Sequence, residues 1–288
     1  MVPKRIVCFG AGQISDALSA YLKTLNQYLV QVLNRSEVQR FLIDLDFASH
    51  LLTKADFVVF SAGKVPTRTY DDFKNNLDLL QNYLDISSRL TFPQQMPTII
   101  YLSSDAVYGD QSVNALEDSP LSPANWHSLM HICRESLLRF QHQFPVLFLR
   151  ICAIYGPSDK HNSYGPNRFL NQALDGVIQI SGKGAELRNH LYIEDLVRII
   201  ELFISKKALG TYNVANSAPV SFLEIAEIVA SISGASIEHL FANGDASKLK
   251  GISVERMNSL FGNEYIETPL TLGIKETYFA KLHKKAGP

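Results

Sequence analysis

The sequence predicts an α/β protein built on a doubly wound parallel sheet, with a smaller α+β domain towards the C-terminus. Two patterns carry this. Short, almost uninterrupted apolar runs alternate with longer amphipathic stretches, and the first apolar run ends in a glycine-marked turn directly before a helical pattern. Strands buried on both faces read as continuous apolar runs. A strand–helix–strand order implies parallel neighbours joined by right-handed crossovers.

In chain order, residues 5–9, 28–33, 57–61, 98–103 and 146–150 read as strands, and residues 14–25, 71–90 and 126–140 carry helical periodicity. Beyond Tyr155 the pattern loosens, and Gly156, Pro157, Gly165, Pro166, Gly182 and Gly184 predict loops. Two more helices are expected at 193–204 and 221–232. Ser221 caps the second, and Glu224 stands where a capping box needs it. The lysine-rich stretch from Lys281 to Lys285 reads as a frayed, solvated tail. The expected division is a dinucleotide-binding domain over 1–156, rejoined at about 190–215, and a substrate domain over 157–288.

The 288 residues, 46% of them hydrophobic, supply ample material for a core, and a net charge of −1 excludes a disordered chain. With 27 basic against 28 acidic residues, no global attraction to nucleic acid is expected. No apolar run approaches the roughly 18 residues that span a bilayer, and no signal peptide is read at the N-terminus. Cys8, Cys133 and Cys152, an odd set without a CxxC pair, favour a reducing, cytoplasmic setting over disulfides or a metal site.

The first strand runs into Phe9-Gly10-Ala11-Gly12-Gln13-Ile14-Ser15. Gly10 and Gly12 allow a tight turn and close backbone approach, and the helix opening at Gln13 and Ile14 offers its N–H groups to a pyrophosphate. A dinucleotide fingerprint has a third glycine where this chain has Ser15, which is still small enough for helix–strand packing. The second strand ends Leu33-Asn34-Arg35-Ser36, without the carboxylate that holds the NAD ribose. Arg35 suits a 2′-phosphate, so the expected cofactor is NADP or NAD, with NADP favoured.

Several ordered motifs then resemble the nucleotide-sugar epimerase/dehydratase branch of the extended short-chain dehydrogenase/reductase superfamily, a Rossmann-like fold. They are Ser103-Ser104-Asp105-Ala106-Val107-Tyr108-Gly109, Arg150 with Gly156-Pro157, Gly182-Lys183-Gly184, Arg188 through Asp195, and Tyr212-Asn213-Val214. The resemblance implies a turn at Ala62 and Gly63 against the dinucleotide. It makes Ser104 the hydroxyl that contacts the reacting sugar oxygen, beside Asp105. Ala106 stands where the dehydratases place a glutamate, so 4,6-dehydration is not expected. Strand-end capping is the structural alternative for Ser104.

The family's Tyr-x-x-x-Lys pair falls on His127 and His131. Histidine titrates near pH 6.5, so His127 is able to serve as acid/base without a tuned phenol. His131 replaces an ammonium with a group of less charge and reach, and double protonation at i,i+4 is unfavourable. Three readings stay open: an acid/base or substrate-contacting pair, a binding site that has lost redox chemistry, or two ordinary helix histidines. A metal site is disfavoured, since no glutamate lies between them. Tyr70 to Lys74 satisfies the motif literally but lies at the wrong point of the topology. Tyr164 to Arg168 does too, though Gly165 and Pro166 argue against a helix there. Trp126, Leu129, Met130, Cys133 and Leu137 form the other face of that helix, read as core or dimer surface.

By resemblance, Arg188, seven residues before Asp195, contacts the substrate diphosphate, with Asn167 beside it and Tyr192, His161 and His190 lining the pocket. A structural salt bridge is the alternative for Arg188, and Asn76 is read as a buried structural amide. The helices at 71–90 and 126–140 would form an intersubunit bundle, so a homodimer is expected. The whole implies an NAD(P)-dependent nucleotide-sugar oxidoreductase of epimerase or 4-ketoreductase type, or a catalytically silent homologue that binds the same ligands.

Overall fold

The computed structural model describes residues 2–93, 95–109, 113–141, 143–159, 165–240 and 250–286. In chain order the elements are β1 (Lys4–Phe9), α1 (Gln13–Thr24), β2 (Tyr28–Leu33), α2 (Arg35–Phe41), α3 (Leu45–Leu52), β3 (Phe57–Phe60), α4 (Tyr70–Ser88), β4 (Thr98–Ser104), a 3-10 turn (Asp105–Tyr108), α5 (Trp126–Phe140) and β5 (Val146–Ile151). There follow β6 (Ala153–Tyr155), α6 (Gly165–Ala173), β7 (Val177–Ser181), β8 (Leu187–Arg188), β9 (His190–Tyr192), α7 (Ile193–Ser205) and β10 (Gly210–Val214). The chain ends with β11 (Val220–Ser221), α8 (Phe222–Ser233), β12 (Ser236–Leu240), α9 (Glu255–Phe261) and α10 (Leu270–Ala286). No helix among the described residues is long and apolar enough to cross a membrane.

Two compact units result: 1–109 with 119–151 and 197–212, and 110–118 with 152–196 and 213–288. The first holds a six-stranded sheet in the order β10-β5-β4-β3-β1-β2. β1 pairs in parallel with β2 on one side and β3 on the other, and β3, β4 and β5 continue in parallel. The strand order therefore reverses between β1 and β3, and ligands of open α/β sheets bind beyond the carboxyl ends of strands at such a switch point. Phe9 and Phe60, the last residues of those two strands, stack at 5.2 Å between centroids, and Phe41 and Tyr83 complete a buried four-ring cluster beneath the switch point.

The five strands of the periodicity pattern are present, as are its helices, with ends shifted by a residue or two. α1 buries Ser15, Leu18, Ser19 and Leu22, an i, i+3, i+4, i+7 stripe. Two short helices, α2 and α3, lie where no periodic pattern is legible. Side-chain caps define their starts: Asn34 accepts from Ser36 and Glu37, and Asp44 from Phe47.

α5 buries four polar side chains, Ser128, His131, Arg134 and Glu135. Glu135 is almost fully buried and receives Arg150 through both oxygens, Nε at 3.0 Å and Nη2 at 2.7 Å, while Ser103 donates to it at 2.7 Å. This bidentate pair bolts α5 to β4 and β5.

In the second unit three small two-stranded sheets, β6–β9, β7–β12 and β8–β11, pack with α6, α8 and α10. Two expectations fail here. Gly165 and Pro166 begin α6 rather than a loop, because proline is tolerated in a first turn where its missing N–H has no partner anyway; Tyr164 lies outside the described residues. The lysine-rich stretch is no frayed tail but the last turns of α10. There Lys281 donates to Asn171 at 3.0 Å, Lys285 pairs with Asp175, and Gly273 packs against the hydroxyl of Tyr155. Ser221 caps α8 by accepting from Glu224 N–H.

Replacing Glu135 by leucine leaves Arg150 buried without its carboxylate. The unfolding free energy is expected to fall by about 3–5 kcal/mol, read from urea midpoints by circular dichroism.

Candidate active site

At the switch point of the first unit two turns touch backbone to backbone. Gly10 has φ +113°, and a Cβ there would stand 2.7 Å from the N and Cα of Ala62, so only glycine fits. Gly12 is extended, opens α1 without any side-chain cap, and has nothing within 4 Å of a Cβ position. The first-turn N–H groups of α1 thus face an open cradle. Gln13 adds a buried side-chain nitrogen with no hydrogen-bond partner, and Ile14 is half-buried beside it. Ser15 bonds Ser61 through their hydroxyls at 2.7 Å, and Ser61 donates to the Gly10 carbonyl at 2.9 Å. The residue in the third glycine's place therefore ties helix, strand and turn together. An open N-terminal cradle with an orphaned amide beside it fits a dinucleotide pyrophosphate.

Arg35 is exposed in the first turn of α2, just past β2. Glu37, two residues on, is the nearest carboxylate in sequence, but it accepts the Asn34 N–H at 2.9 Å in a capping box.

Along α5, Ser128, His131, Arg134 and Glu135 are each at most 5% exposed. His131 hydrogen-bonds through Nδ1 to the Tyr101 hydroxyl on β4 at 2.8 Å. Burial first, then the neighbouring His127 and Arg134, hold its pKa well below the usual imidazole value. The expectation of His131 as a catalytic group presented to the site is corrected: its helix face turns it into the protein, where it stays neutral. His127 is half-buried, and its ring stands edge-on to that of His131, 4.7 Å between centroids at 89°.

Ser104 ends β4, accepts the Ala106 N–H at 3.1 Å and donates to Asp105 at 3.3 Å. It is thus the cap of the 3-10 turn and, half-buried, keeps an exposed edge. α5 packs on that turn.

In the second unit Asn167 is fully buried. It accepts from Gly156 N–H and donates to the Ile154 carbonyl and to Asp159, so its amide braces the Gly156-Pro157 turn instead of facing a ligand. Tyr192 is likewise buried and donates to Glu276 at 3.0 Å, which removes it from the pocket-lining set. Arg188 is partly exposed and paired with Glu186 at 2.6 Å. His190 is 2% exposed with neither ring nitrogen hydrogen-bonded, and burial, then the charge of Arg188, lowers its pKa to about 3. His161 lies outside the described residues. Asn76 is a buried amide as expected, bonded to Lys64 and Thr67. Tyr101 and Arg134 escaped the sequence reading. An arginine on the inward stripe of α5, at i+3 from His131, is the signal that marks it.

The chain belongs to the NAD dependent epimerase/dehydratase family, whose model matches residues 7–215. A dTDP-D-glucose 4,6-dehydratase of Dictyostelium discoideum is 30% identical over 156 residues, 48% of this chain and 36% of the relative. The low-salt glycan biosynthesis protein Agl12 of Haloferax volcanii is 25% identical over 78% of this chain and 72% of the relative. The fold is that of UDP-glucuronic acid 4-epimerase from Bacillus cereus in complex with UDP-glucuronic acid and NAD (TM-score 0.77, 23% identity, 98% and 99% of the two chains). It is also that of UDP-glucose 4-epimerase from Thermus thermophilus in complex with NAD (TM-score 0.78, 19% identity, 97% and 99%).

His131 and His190 are held neutral when folded but titrate near pH 6.5 when unfolded. Stability is full above pH 6.5 and falls as pH drops towards the folded values, by up to about 1.4 kcal/mol per pH unit for each histidine. Urea midpoints at pH 7, 6 and 5 are expected to decline, and His190→Leu to flatten that decline by about one proton's worth.

Proposed function

We propose that the protein is an NAD(P)-dependent nucleotide-sugar oxidoreductase of the epimerase or 4-ketoreductase type, in which His127 is the acid/base. The observation that carries it is the mounted imidazole pair: Tyr101 holds His131, and His131 braces the ring of His127. Because His131 stays neutral, a proton on His127 meets no second imidazolium, and the pair cycles through a single proton.

Gly10, Gly12, Gln13, Ile14 and the Ala62–Gly63 turn would hold the dinucleotide, with Arg35 at the 2′ position of its adenosine ribose. The chemistry supplied by a bound nicotinamide is reversible hydride transfer. For an alcohol going to a ketone, His127 accepts the hydroxyl proton and returns it in the reverse direction. Ser104 hydrogen-bonds the same oxygen and fixes its orientation, with Asp105 beside it. In the second unit, Arg188 would exchange Glu186 for a phosphate group. Ala106 leaves no second acid/base for loss of water, which favours epimerase or reductase over dehydratase.

The second reading is a homologue that binds these ligands without turnover. The neutral His131, which supplies no cation at the lysine position, favours it.

With NADPH or NADH and a panel of 4-keto and 4-hydroxy nucleotide-sugars, absorbance at the reduced-nicotinamide band is expected to change. His127→Ala should lower kcat at least 100-fold while calorimetric dinucleotide binding stays within threefold. No turnover by wild type, with binding intact, establishes the second reading instead. In the same titrations Arg35→Ala should weaken NADP about tenfold and leave NAD unchanged. α4 and α5 pack together and leave Tyr70 59% and Phe140 76% exposed, which supports a homodimer through these helices. Light scattering should give the mass of two chains, and a monomer contradicts it.

A further inference from the structure

Arg134 lies on the inward stripe of α5, 3% exposed, one turn beyond His131. Its guanidinium meets only neutral acceptors. Nε donates to the Asn76 carbonyl at 2.9 Å, Nη2 to the same oxygen, and Nη1 to the Ala62 carbonyl at 3.0 Å. The Phe60 ring lies 5.4 Å away. Among the described residues no carboxylate comes within ion-pairing distance. The adjacent Glu135 is taken by Arg150, Ser103 and Arg139. A buried charge held only by carbonyl dipoles is unfavourable for the fold alone.

Its position gives the charge a use. A Cβ on Gly63 would lie 3.2 Å from Nη1 and 2.8 Å from the Asn76 amide oxygen, so the guanidinium sits directly beneath the Ala62–Gly63 turn. The other side of Ala62 touches Gly10. One side chain thus anchors the second of the two turns that form the dinucleotide cradle.

We propose that Arg134 is a positioning residue for the dinucleotide: it clamps the Ala62–Gly63 turn and supplies, from beneath, the fixed positive charge that the histidine at position 131 does not. This rests on the dinucleotide-binding part of the function proposed above, not on turnover. The group does not touch the ligand. It acts through the turn it holds and through its field, which in a desolvated setting is weakly screened. The same field bears on the imidazole pair. His131 faces Tyr101 from β4 and His127 and Arg134 from its own helix, and Glu135 adds a negative charge near Tyr101. Removing the guanidinium charge takes away one of the influences that keep His131 neutral.

The test uses the apo protein, with NAD as the calorimetric probe and histidine Cε1–H resonances followed against pH, assigned with His127→Ala and His131→Asn. Arg134→Gln retains a donor for the turn without the charge, and Arg134→Lys retains the charge without the fork. The glutamine variant is expected to bind NAD at least tenfold more weakly and to show the His131 resonance titrating at higher pH. The lysine variant is expected to stay within threefold of wild type in affinity, with the His131 titration unchanged. A folded glutamine variant that binds NAD within twofold and titrates as wild type overturns the proposal. So does equal loss in both variants, which would leave a hydrogen-bonding role alone. Should the glutamine variant not fold, the lysine variant decides: affinity within threefold supports the proposal, and a tenfold loss overturns it. Absence of turnover with Arg134-dependent binding sinks only the oxidoreductase reading.

Discussion

The constraint on which the first unit depends is the polar stripe that α5 buries. Ser128, His131, Arg134 and Glu135 all face inward, and every one must find a partner in the protein because water cannot reach it. Ser128 closes a capping box with Asn125. His131 takes Tyr101, Glu135 takes Arg150 and Ser103, and Arg134 takes the carbonyls of Ala62 and Asn76. These bonds set the rotation of the helix and its distance from β4 and β5, since a small turn about the axis would leave several groups unsatisfied at once. A purely apolar stripe would tolerate such slippage.

That rotation decides the burial of the side chains at the N-terminal end of the helix. His127 and His131 are one turn apart, yet one is half-buried and the other enclosed. A helix stripe that points inward at 131, 134 and 135 leaves 127 at its margin. The same stripe reaches the sheet's switch point, where Arg134 meets the turn beyond β3 and Gly10 closes on it from the turn beyond β1. Helix, turn and glycine loop are therefore one mechanical assembly, resting on the rings of Phe9, Phe60, Phe41 and Tyr83.

His127 and His131 share one face of α5 and yet sit in different surroundings. A lysine at position 131 would need its ammonium near solvent or an anion. An imidazole is content in a desolvated slot provided it stays neutral and keeps one hydrogen bond. His131 is buried, and Arg134, one turn on, hydrogen-bonds backbone instead of carboxylate.

What the sequence determined by itself was local. Apolar runs dictate strands, the stripe at Ser15, Leu18, Ser19 and Leu22 dictates α1, and the spacing of glycines after Phe9 dictates an open helix N-terminus. These follow from periodicities of a few residues and from backbone sterics. Motif order alone nominates Ser104, His127 and the glycines as candidates. Three-dimensional packing alone decided which side chains face inward: that Asn167 and Tyr192 are braces, that His131 is sealed under Tyr101, and that Arg134 lies beneath Gly63. Pro166 opening a helix and the lysines of α10 docking on Asn171 and Asp175 belong with these. The physical reason is the same throughout. The fate of a polar side chain depends on what partner a distant segment brings within hydrogen-bond reach, and Ala62 and Arg134 are 72 residues apart in the chain.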